Sequence, residues 1–423
     1  MKKITINKIN EDIYYEKLDN GMDVYLYINN NIHNNYVTFT TKYGSVYNEF
    51  KYNNKMKKVP NGIAHFLEHK VFVQKDGLQP EEFYAKSGAM TNAYTTFKNT
   101  TYLFSGPDNI YDNISYLLDF VQDLYITDEN VESEKGIITQ EINMCNDRPM
   151  DLLYDKIREN AIKVNPFRES IIGTVDDINS ITCETLRECY DTFYNPSNMF
   201  LVVSGNFSKE EAMKVIKENQ EKKEFVKKEN PVLKKYKEPD EIVKDYEKVK
   251  CNTSIPKMAY TLKVPVDIVD MDKRKLSIYL FILNNLLFGD TSLFDEKTKK
   301  DGIITSSLYV NTLNIDTHFI ISLINSCDKY EELIKRIDNE FKNINIREDE
   351  FERKKKVLIS NEIFSYENID MVNEMIIDNV IFDNKIESDI ISMIESLNID
   401  ELRDIIKKIN FDNKSIVVLK KDV

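Results

Sequence analysis

His65-Phe66-Leu67-Glu68-His69 is the stretch on which the interpretation of this chain depends, because it holds two of only four histidines in 423 residues. Four residues are just over one turn of an α-helix, so both imidazoles project from one helix face, with Glu68 on its flank. Two imidazole nitrogens and a carboxylate from elsewhere form a three-ligand zinc site whose fourth position is open for water. Glu68 would then act as general base on that water. The stretch therefore predicts a zinc site carried by a helix.

Two plainer interpretations of the histidine pair compete with a metal site. A histidine in a protein core is usually a hydrogen-bonded structural residue, and a pair four residues apart can decorate a solvated helix face. The order H-x-x-E-H, however, is the reverse of H-E-x-x-H and is the pattern of the inverted zinc peptidases. Because histidine is so scarce in this chain, a chance occurrence of the pattern is improbable.

A candidate third ligand lies farther along the chain. Apolar residues recur at spacings of three and four from Val131 to Asn146, which predicts a helix. Glu134 and Glu141 lie seven residues apart, two helical turns, and therefore share a face. Two glutamates on a helix more often mark a solvated face. Beside the histidine pair, one carboxylate can bind the metal while the other supports a ligand.

These residues resemble the M16 family of zinc peptidases, also called the pitrilysin or insulinase family. In that family H-x-x-E-H is followed by a glutamate ligand, with an accessory glutamate one heptad before it. Here 71 residues separate His69 from Glu141, slightly fewer than is usual in the family, and Glu134 falls on the accessory position. The resemblance implies that His65, His69 and Glu141 hold one Zn²⁺ per chain. It implies that Glu68 is the catalytic base, and that Glu134 orients a ligand histidine or stabilises the site.

The likeness extends beyond the motif. Gly88-Ala89, followed by residues 91–96, looks like the substrate-binding edge strand of the family, and Tyr190–Gly205 resembles the end of its first domain. The likeness is greatest to the YmfH-like group of bacterial M16 proteins and is strong over about residues 15–210. Three residues of the edge strand are expected to pair with the backbone of a bound peptide as an added strand: Asn92, Ala93 and Tyr94.

The composition agrees with a soluble enzyme and argues against other classes. A chain of 423 residues is too long for one ordinary core, which predicts two or more domains. The net charge of −14 argues against a nucleic-acid-binding protein. No apolar run approaches the ~18 residues of a membrane span, and the N-terminus does not resemble a signal peptide. The five cysteines lack CxxC spacing, so we expect reduced thiols and a cytoplasmic protein.

The segments around the motif predict its local structure. The polar, lysine-rich stretch Lys51 to Pro60 predicts a loop, after which Asn61 can cap the motif helix. Thr91 to Phe97 and Thr100 to Ser105 are rich in β-branched and aromatic residues and predict a hairpin.

The chain repeats itself in outline, which predicts an α+β protein of two homologous M16-like domains. In each half a helix near the end precedes an apolar strand, at Met199 to Ser204 and again at Lys414 to Leu419. We expect each domain to be a mainly antiparallel sheet packed against helices. Residues 221–250 hold ten lysines and eight acidic residues, which predicts a charged linker. The predicted division is a zinc-bearing domain over residues 1–218, a linker over 219–250, and a domain without the zinc motif over 251–423.

The second half also departs from the family pattern. M16 enzymes usually supply an arginine and a tyrosine from the second domain, in a stretch resembling R-x-x-x-G-L-x-Y, that grip the substrate near the scissile bond. Aligned on Gly302, these positions are Thr298 and Thr305. A threonine cannot replace a guanidinium or phenol donor aimed at a carbonyl oxygen. The resemblance therefore implies a zinc-bearing subunit that pairs with an M16 paralogue carrying the Arg/Tyr pair.

The sequence thus favours a metalloendopeptidase that cleaves short or unfolded peptides with the help of such a partner. Two other classes stay open at this point. The chain could be a structural M16-like subunit without proteolysis, against which the intact zinc residues argue. It could also be a binding module that captures peptides without cleaving them, if the second-half deficit is not compensated.

Overall fold

The structure is a computed structural model and describes residues 1–52, 54–225 and 231–421. Its strands are β1 (Lys2–Ile6), β2 (Glu11–Lys17), β3 (Asp23–Ile28), β4 (Asn35–Thr41), β5 (Glu49–Tyr52), β6 (Lys55–Lys58), β7 (Met90–Thr95), β8 (Thr100–Gly106), β9 (Met199–Gly205), β10 (Tyr246–Lys250), β11 (Lys257–Pro265), β12 (Tyr309–Asn314), β13 (His318–Ser326) and β14 (Lys414–Lys420).

The α-helices alternate with these strands. They are α1 (Ile63–Val71), α2 (Pro80–Ala85), α3 (Ile110–Val121), α4 (Asp128–Asn146), α5 (Pro149–Ala161), α6 (Val175–Ser180), α7 (Cys183–Phe193), α8 (Lys209–Glu221), α9 (Lys273–Phe288), α10 (Leu293–Lys300), α11 (Tyr330–Lys342), α12 (Glu348–Ser365), α13 (Ile369–Asp383), α14 (Ile390–Ser396) and α15 (Ile399–Lys408). Short 3-10 turns lie at Pro166–Arg168 and Pro196–Asn198.

Two sheets of the same design confirm the predicted duplication. In the described part of the chain, the first sheet has the strand order β1-β2-β3-β9-β4-β8-β7, and the second has β10-β14-β11-β13-β12. The order β3-β9-β4-β8-β7 of the first sheet corresponds to β10-β14-β11-β13-β12 of the second. In each of these runs the first two strands are parallel, β3 with β9 and β10 with β14. The other neighbouring strands of the two runs are antiparallel. The mixed α+β class with two mainly antiparallel sheets packed against helices is therefore confirmed.

The first sheet has a hydrophobic core on each face, because its central strands alternate apolar side chains between the two sides. In β3, Val24 and Leu26 join the core that contains α1, α3, α7 and α8, whereas Tyr25 and Tyr27 face a second core. That second core is completed by α13, whose Val372, Ile376 and Val380 are buried there. A sheet covered on both faces accounts for its continuous apolar central strands.

Each compact unit of the chain is built from three segments. The first unit comprises Met1–Ile142, Ser170–Lys235 and Ile363–Asp389, and the second comprises Asn143–Glu169, Tyr236–Glu362 and Ile390–Val423. Consequently α13, from the second half of the sequence, packs on the first sheet, and α5, from the first half, packs on the second. The predicted division at residues 1–218, 219–250 and 251–423 stays a prediction, and the structure adds this exchange of helices.

Asn373 anchors α13 to the first sheet. Its side-chain amide donates to the carbonyl oxygens of Tyr36 and Val202, 3.0 and 3.3 Å away, and accepts the hydroxyl of Thr38 at 2.7 Å. The residue is fully buried, so these bonds satisfy an amide that would otherwise carry a desolvation penalty.

The start of α1 differs from the prediction. Gly62 precedes the helix in a left-handed conformation, φ 78°, and no side chain caps the first turn. The carbonyl of Ile172 approaches so closely that a Cβ at Gly62 would lie 2.4 Å from it, which selects glycine there. Asn61 accepts a hydrogen bond from Asn48 instead of capping the helix. Part of the stretch that was predicted to be a loop is strand, because β5 and β6 pair antiparallel.

The predicted linker contains folded structure on both sides of residues 226–230, which lie outside the described residues. Beyond that gap, β10 pairs with β14 as the parallel edge strand of the second sheet. Glu238 is buried, and its carboxylate accepts the backbone N–H groups of Lys163, Val164 and Asn165 at 2.7–2.8 Å. Lys263 forms an ion pair with the same carboxylate at 2.7 Å. The high charge of this stretch therefore includes a buried, paired carboxylate.

One stretch, Lys273–Lys300, is long and apolar enough to cross a membrane by length and composition alone. Within it α9 ends at Phe288 and α10 begins at Leu293, and half of its apolar window is buried. A core helix of a folded domain passes the same test of composition, so the stretch is weak evidence for a span. The absence of a membrane span stays a prediction.

We expect the substitution Glu238→Ala to destabilise the second unit strongly. It would leave Lys263 as a buried charge without its carboxylate partner, a change that typically costs about 3–5 kcal/mol. Urea unfolding followed by circular dichroism would measure the loss. The matched control is Glu241→Ala at an exposed neighbouring position, for which a change within about 0.5 kcal/mol is expected. Equal effects of the two substitutions would contradict the buried role of Glu238.

Candidate metal centre

The histidine motif lies on α1, which buries its apolar face in the core of the first unit. Ile63, Phe66 and Leu67 are members of that core. The remaining face carries His65, which is 8% exposed, and His69. The helical spacing predicted for the motif therefore places the two rings side by side, with their centroids 4.6 Å apart.

Three side chains converge on one point. The Nε2 atoms of His65 and His69 are 3.3 Å apart, and each lies 3.6 Å from an oxygen of Glu141 on α4. Ligand atoms about 2.0–2.1 Å from a tetrahedral zinc ion lie roughly 3.3–3.4 Å from one another. The two nitrogens and the carboxylate thus have the chemistry and nearly the separations that Zn²⁺ requires. Within the described residues, this is the only group of three such side chains close enough to hold an ion.

Glu134 lies behind the cluster instead of within it. Its Oε1 is 3.1 Å from Nδ1 of His69, and it is buried to 8% exposure. Because a carboxylate can only accept, Nδ1 of His69 carries the proton and Nε2 presents its lone pair to the cluster. This carboxylate–histidine arrangement is the usual support of a metal-binding imidazole. The heptad spacing of the two glutamates therefore separates a direct contact at Glu141 from a supporting one at Glu134.

The environment sets the protonation of the site. Burial, reinforced by the neighbouring His69, lowers the pKa of His65 to about 3, so that His65 is neutral and able to bind a metal. Burial alone would lower the pKa of His69, but the hydrogen bond to Glu134 and the nearby carboxylates raise it overall. Burial raises the pKa of Glu68, which makes this carboxylate a better proton acceptor near neutral pH.

Thr95 is a residue of the site that sequence reasoning did not single out. Its hydroxyl, at the end of β7, donates a hydrogen bond of 2.5 Å to Oε2 of Glu68. The bond connects the carboxylate of the motif to the strand that the sequence identified for substrate binding. The signal was present in the alternation of β7, since residues 91, 93 and 95 of a strand share one face.

The predicted substrate-binding residues occupy the terminal strand of the first sheet as described. Asn92, Ala93 and Tyr94 lie in β7, which pairs with β8 and is the last strand in the sheet order. The Asn92 side chain accepts the backbone N–H of Ala93 at 2.9 Å. The hydroxyl of Tyr94 points to the opposite face, where it donates to Glu374 of α13 at 2.6 Å. Of this strand, Thr95 and not Tyr94 contacts the motif.

Comparison with known proteins agrees with this geometry. Residues 27–175 match the family model described as insulinase, peptidase family M16, and residues 180–358 match the model described as the peptidase M16 inactive domain. The chain is 42% identical over 311 residues to the zinc protease YmfH of Bacillus subtilis, a match that covers 72% of each protein. The chain belongs to the M16 peptidase family.

Solved structures of other proteins share the whole fold. An M16-like peptidase from Alicyclobacillus acidocaldarius superposes with a TM-score of 0.91 at 30% identity, covering 98% of this chain and 99% of that one. A protease from Helicobacter pylori has the same fold at 20% identity, with a TM-score of 0.83 over 97% of this chain and 99% of its own. The beta subunit of the mitochondrial-processing peptidase of Caenorhabditis elegans is more distant, 27% identical over 37% of this chain and 35% of its own length.

The second half has M16 architecture but different chemistry at the positions noted in the sequence. Thr298 is buried in α10, and its hydroxyl donates to the carbonyl of Phe294 at 2.6 Å. That hydroxyl is already committed within its own helix and is not directed at a ligand. Thr305 lies in an exposed turn after α10.

We expect purified protein to hold close to one zinc per chain, measured by elemental analysis after gel filtration. His69→Ala and His65→Ala should each abolish stable zinc binding, because each removes one of three protein ligands. Glu68→Gln should retain the zinc, because Glu68 contacts Thr95 and is not a member of the cluster. It should lose the peptide hydrolysis that the parent chain shows beside an M16 paralogue with the Arg/Tyr pair, because Glu68 is the expected base. Full zinc occupancy in His69→Ala would disprove the assignment.

The two glutamates of α4 should respond differently to substitution. Glu141→Gln should weaken zinc binding strongly, because its carboxylate is the third member of the cluster. Glu134→Gln should have the smaller effect, lowering turnover and weakening zinc binding together, since loss of a supporting group typically costs about 10–100-fold in affinity or activity. Zinc titration of both variants provides the measurement, together with peptide hydrolysis relative to the parent chain when an M16 paralogue with the Arg/Tyr pair is present. A larger zinc loss in Glu134→Gln than in Glu141→Gln would require the two roles to be exchanged.

Proposed function

We propose that this chain is a zinc-dependent metalloendopeptidase that hydrolyses short or unfolded peptides in the cytoplasm. The observation that carries the proposal is the cluster of His65, His69 and Glu141, with Glu68 of the same motif outside the cluster. Zinc bound there would polarise the scissile carbonyl and lower the pKa of water. The relatives named zinc proteases support the metal and the reaction class. The five cysteines, none of them in a disulfide, support the compartment.

Glu68 would move the protons of the reaction. It accepts a proton from the attacking water and later delivers it to the leaving amine. The hydrogen bond from Thr95 occupies one oxygen of Glu68 and leaves the other oxygen available for the water. The raised pKa of Glu68 suits both halves of this transfer.

The peptide substrate would bind along β7 as an added strand. Hydrogen bonds between backbones give affinity with loose sequence preference, which suits a peptidase of unfolded chains. In the free protein the Asn92 side chain covers the N–H of Ala93. We propose that a bound peptide displaces this local bond. Because Thr95 of the same strand contacts Glu68, a peptide on β7 would lie within reach of the catalytic base.

We further propose that the chain works with an M16 paralogue that supplies an arginine and a tyrosine. Thr298 and Thr305 cannot provide those donors, and Thr298 is too buried to reach a ligand. Two relatives, from a plant and a nematode, are named as beta subunits of mitochondrial-processing peptidases. These names support the proposal that this chain also works as one subunit of a pair. The alternative is a peptide-binding or structural subunit without proteolysis. The threonines at positions 298 and 305 would favour this alternative if no partner restored cleavage.

The partnership predicts that the zinc-loaded chain alone is nearly inactive toward an unstructured fluorogenic peptide. Each missing transition-state donor typically costs about 10²–10³-fold. Addition of a paralogue with the Arg/Tyr pair should restore cleavage and give a complex of two unlike subunits by light scattering. The same paralogue added to the Glu68→Gln chain, in place of the parent chain, should not restore cleavage. Efficient hydrolysis by the isolated chain would exclude the shared site while leaving the zinc assignment intact.

A further inference from the structure

Lys70 is a buried charge directly beside the metal centre. It follows His69 in α1 and is 1% exposed, among the most buried large side chains of the protein. Its Nζ donates to the backbone carbonyl of Asn130 at 2.9 Å and to Oε2 of Glu134 at 3.1 Å. Burying an ammonium group is costly unless it is paired and hydrogen-bonded, so its partners determine what it does.

The two successive residues His69 and Lys70 hold the same carboxylate from two directions. His69 contacts Oε1 of Glu134, and Lys70 contacts Oε2, each at 3.1 Å. With both oxygens engaged, the carboxylate plane cannot rotate without breaking one charge-assisted bond. Glu134 therefore keeps an oxygen on Nδ1 of His69 and is kept from turning toward the cluster. This geometry also accounts for the choice of Glu141 as the direct contact.

We propose that Lys70 is a positioning residue of the metal centre, which acts through Glu134 to fix the orientation and tautomer of His69. This inference rests on the proposed zinc site. A purely structural role would consist of tying α1 to α4 through the carbonyl of Asn130. The two roles differ in a measurable way, because only the first requires Glu134 and only the first changes the geometry around a bound ion.

The test measures zinc affinity of the full-length chain by competition with a chromophoric chelator. Lys70→Met keeps the length of the side chain and removes its charge, and it should weaken zinc binding about 10–100-fold. The visible spectrum of the Co²⁺-substituted protein should also change, because His69 is no longer held. Lys135→Met is the matched control. Lys135 also bonds across to a backbone carbonyl, that of Asn179, and to a glutamate of α4, but that glutamate is Glu132. The control should leave affinity and spectrum unchanged.

A double-mutant cycle with Glu134→Gln separates positioning from mere folding. If Lys70 acts through Glu134, adding Lys70→Met to Glu134→Gln should cause no further loss of zinc affinity. The double variant buries neither charge, so it also provides the comparison if Lys70→Met alone does not fold. The inference is overturned if Lys70→Met binds zinc like the parent, or if it weakens binding tenfold or more in the Glu134→Gln background. Failure of the parent chain itself to bind zinc would instead overturn the proposed function.

Discussion

The hydrogen bond between His69 and Glu134 sets the register between α1 and α4, and the metal centre depends on that register. Glu134 meets the last turn of α1, and Glu141 meets both imidazoles two turns farther along α4. Seven residues of helix span about 10.5 Å, whereas a slip of one turn displaces a side chain by roughly 5.4 Å. Such a slip would remove Glu141 from the cluster and leave the buried Lys70 without its carboxylate. A single contact thus links the position of a helix to the ligand set of the site.

The duplicated sheets explain how two long stretches of sequence with little similarity adopt one design. In each half, β9 or β14 must run parallel to its neighbour, and parallel strands need a long crossover connection. The helices supply that connection and cover the sheet faces. Two helices are exchanged between the halves: α5 covers the second sheet and α13 covers the first. Neither unit is therefore complete with residues from one half of the sequence alone. Truncation at the middle of the chain would therefore expose an apolar face in each fragment.

The site was more predictable from sequence than its surroundings. The spacings of four and seven residues fix side chains on helix faces whatever the rest of the fold does. The family resemblance added that Glu141 joins His65 and His69, and the structure brings these three side chains together. The entry into α1 was not predictable in the same way. The left-handed conformation of Gly62 is imposed by the distant carbonyl of Ile172, and no local signal at Asn61 reveals that contact.

Part of the stretch predicted as a linker forms a strand, for a related reason. The residues of β10 read YEKVK and alternate between exposed and half-buried, so composition alone classifies them as a solvated segment. Their strand structure is induced by β14, which lies 168 residues farther along the chain and pairs with them in parallel. Glu238 was missed likewise, because its burial depends on three backbone N–H groups from residues 163–165. A charged side chain such as that of Glu238 can be buried where specific partners pair with it, and its charge alone therefore does not predict exposure.

The contrast between the two halves bears on how the chemistry is divided. The second sheet keeps the strand order of the first, including a terminal strand, β12, in the position that β7 holds. The second half of the sequence contains one histidine, His318, which pairs with Asp240 and lies far from the other three histidines in the sequence. The shared architecture therefore does not imply shared metal chemistry, because function depends on the side chains of a site and not on the fold that carries them. In this chain the cluster of His65, His69 and Glu141, the neighbouring Glu68 and the strand β7 all lie in the first unit. The partnership proposed above would bring the missing Arg/Tyr donors to that unit.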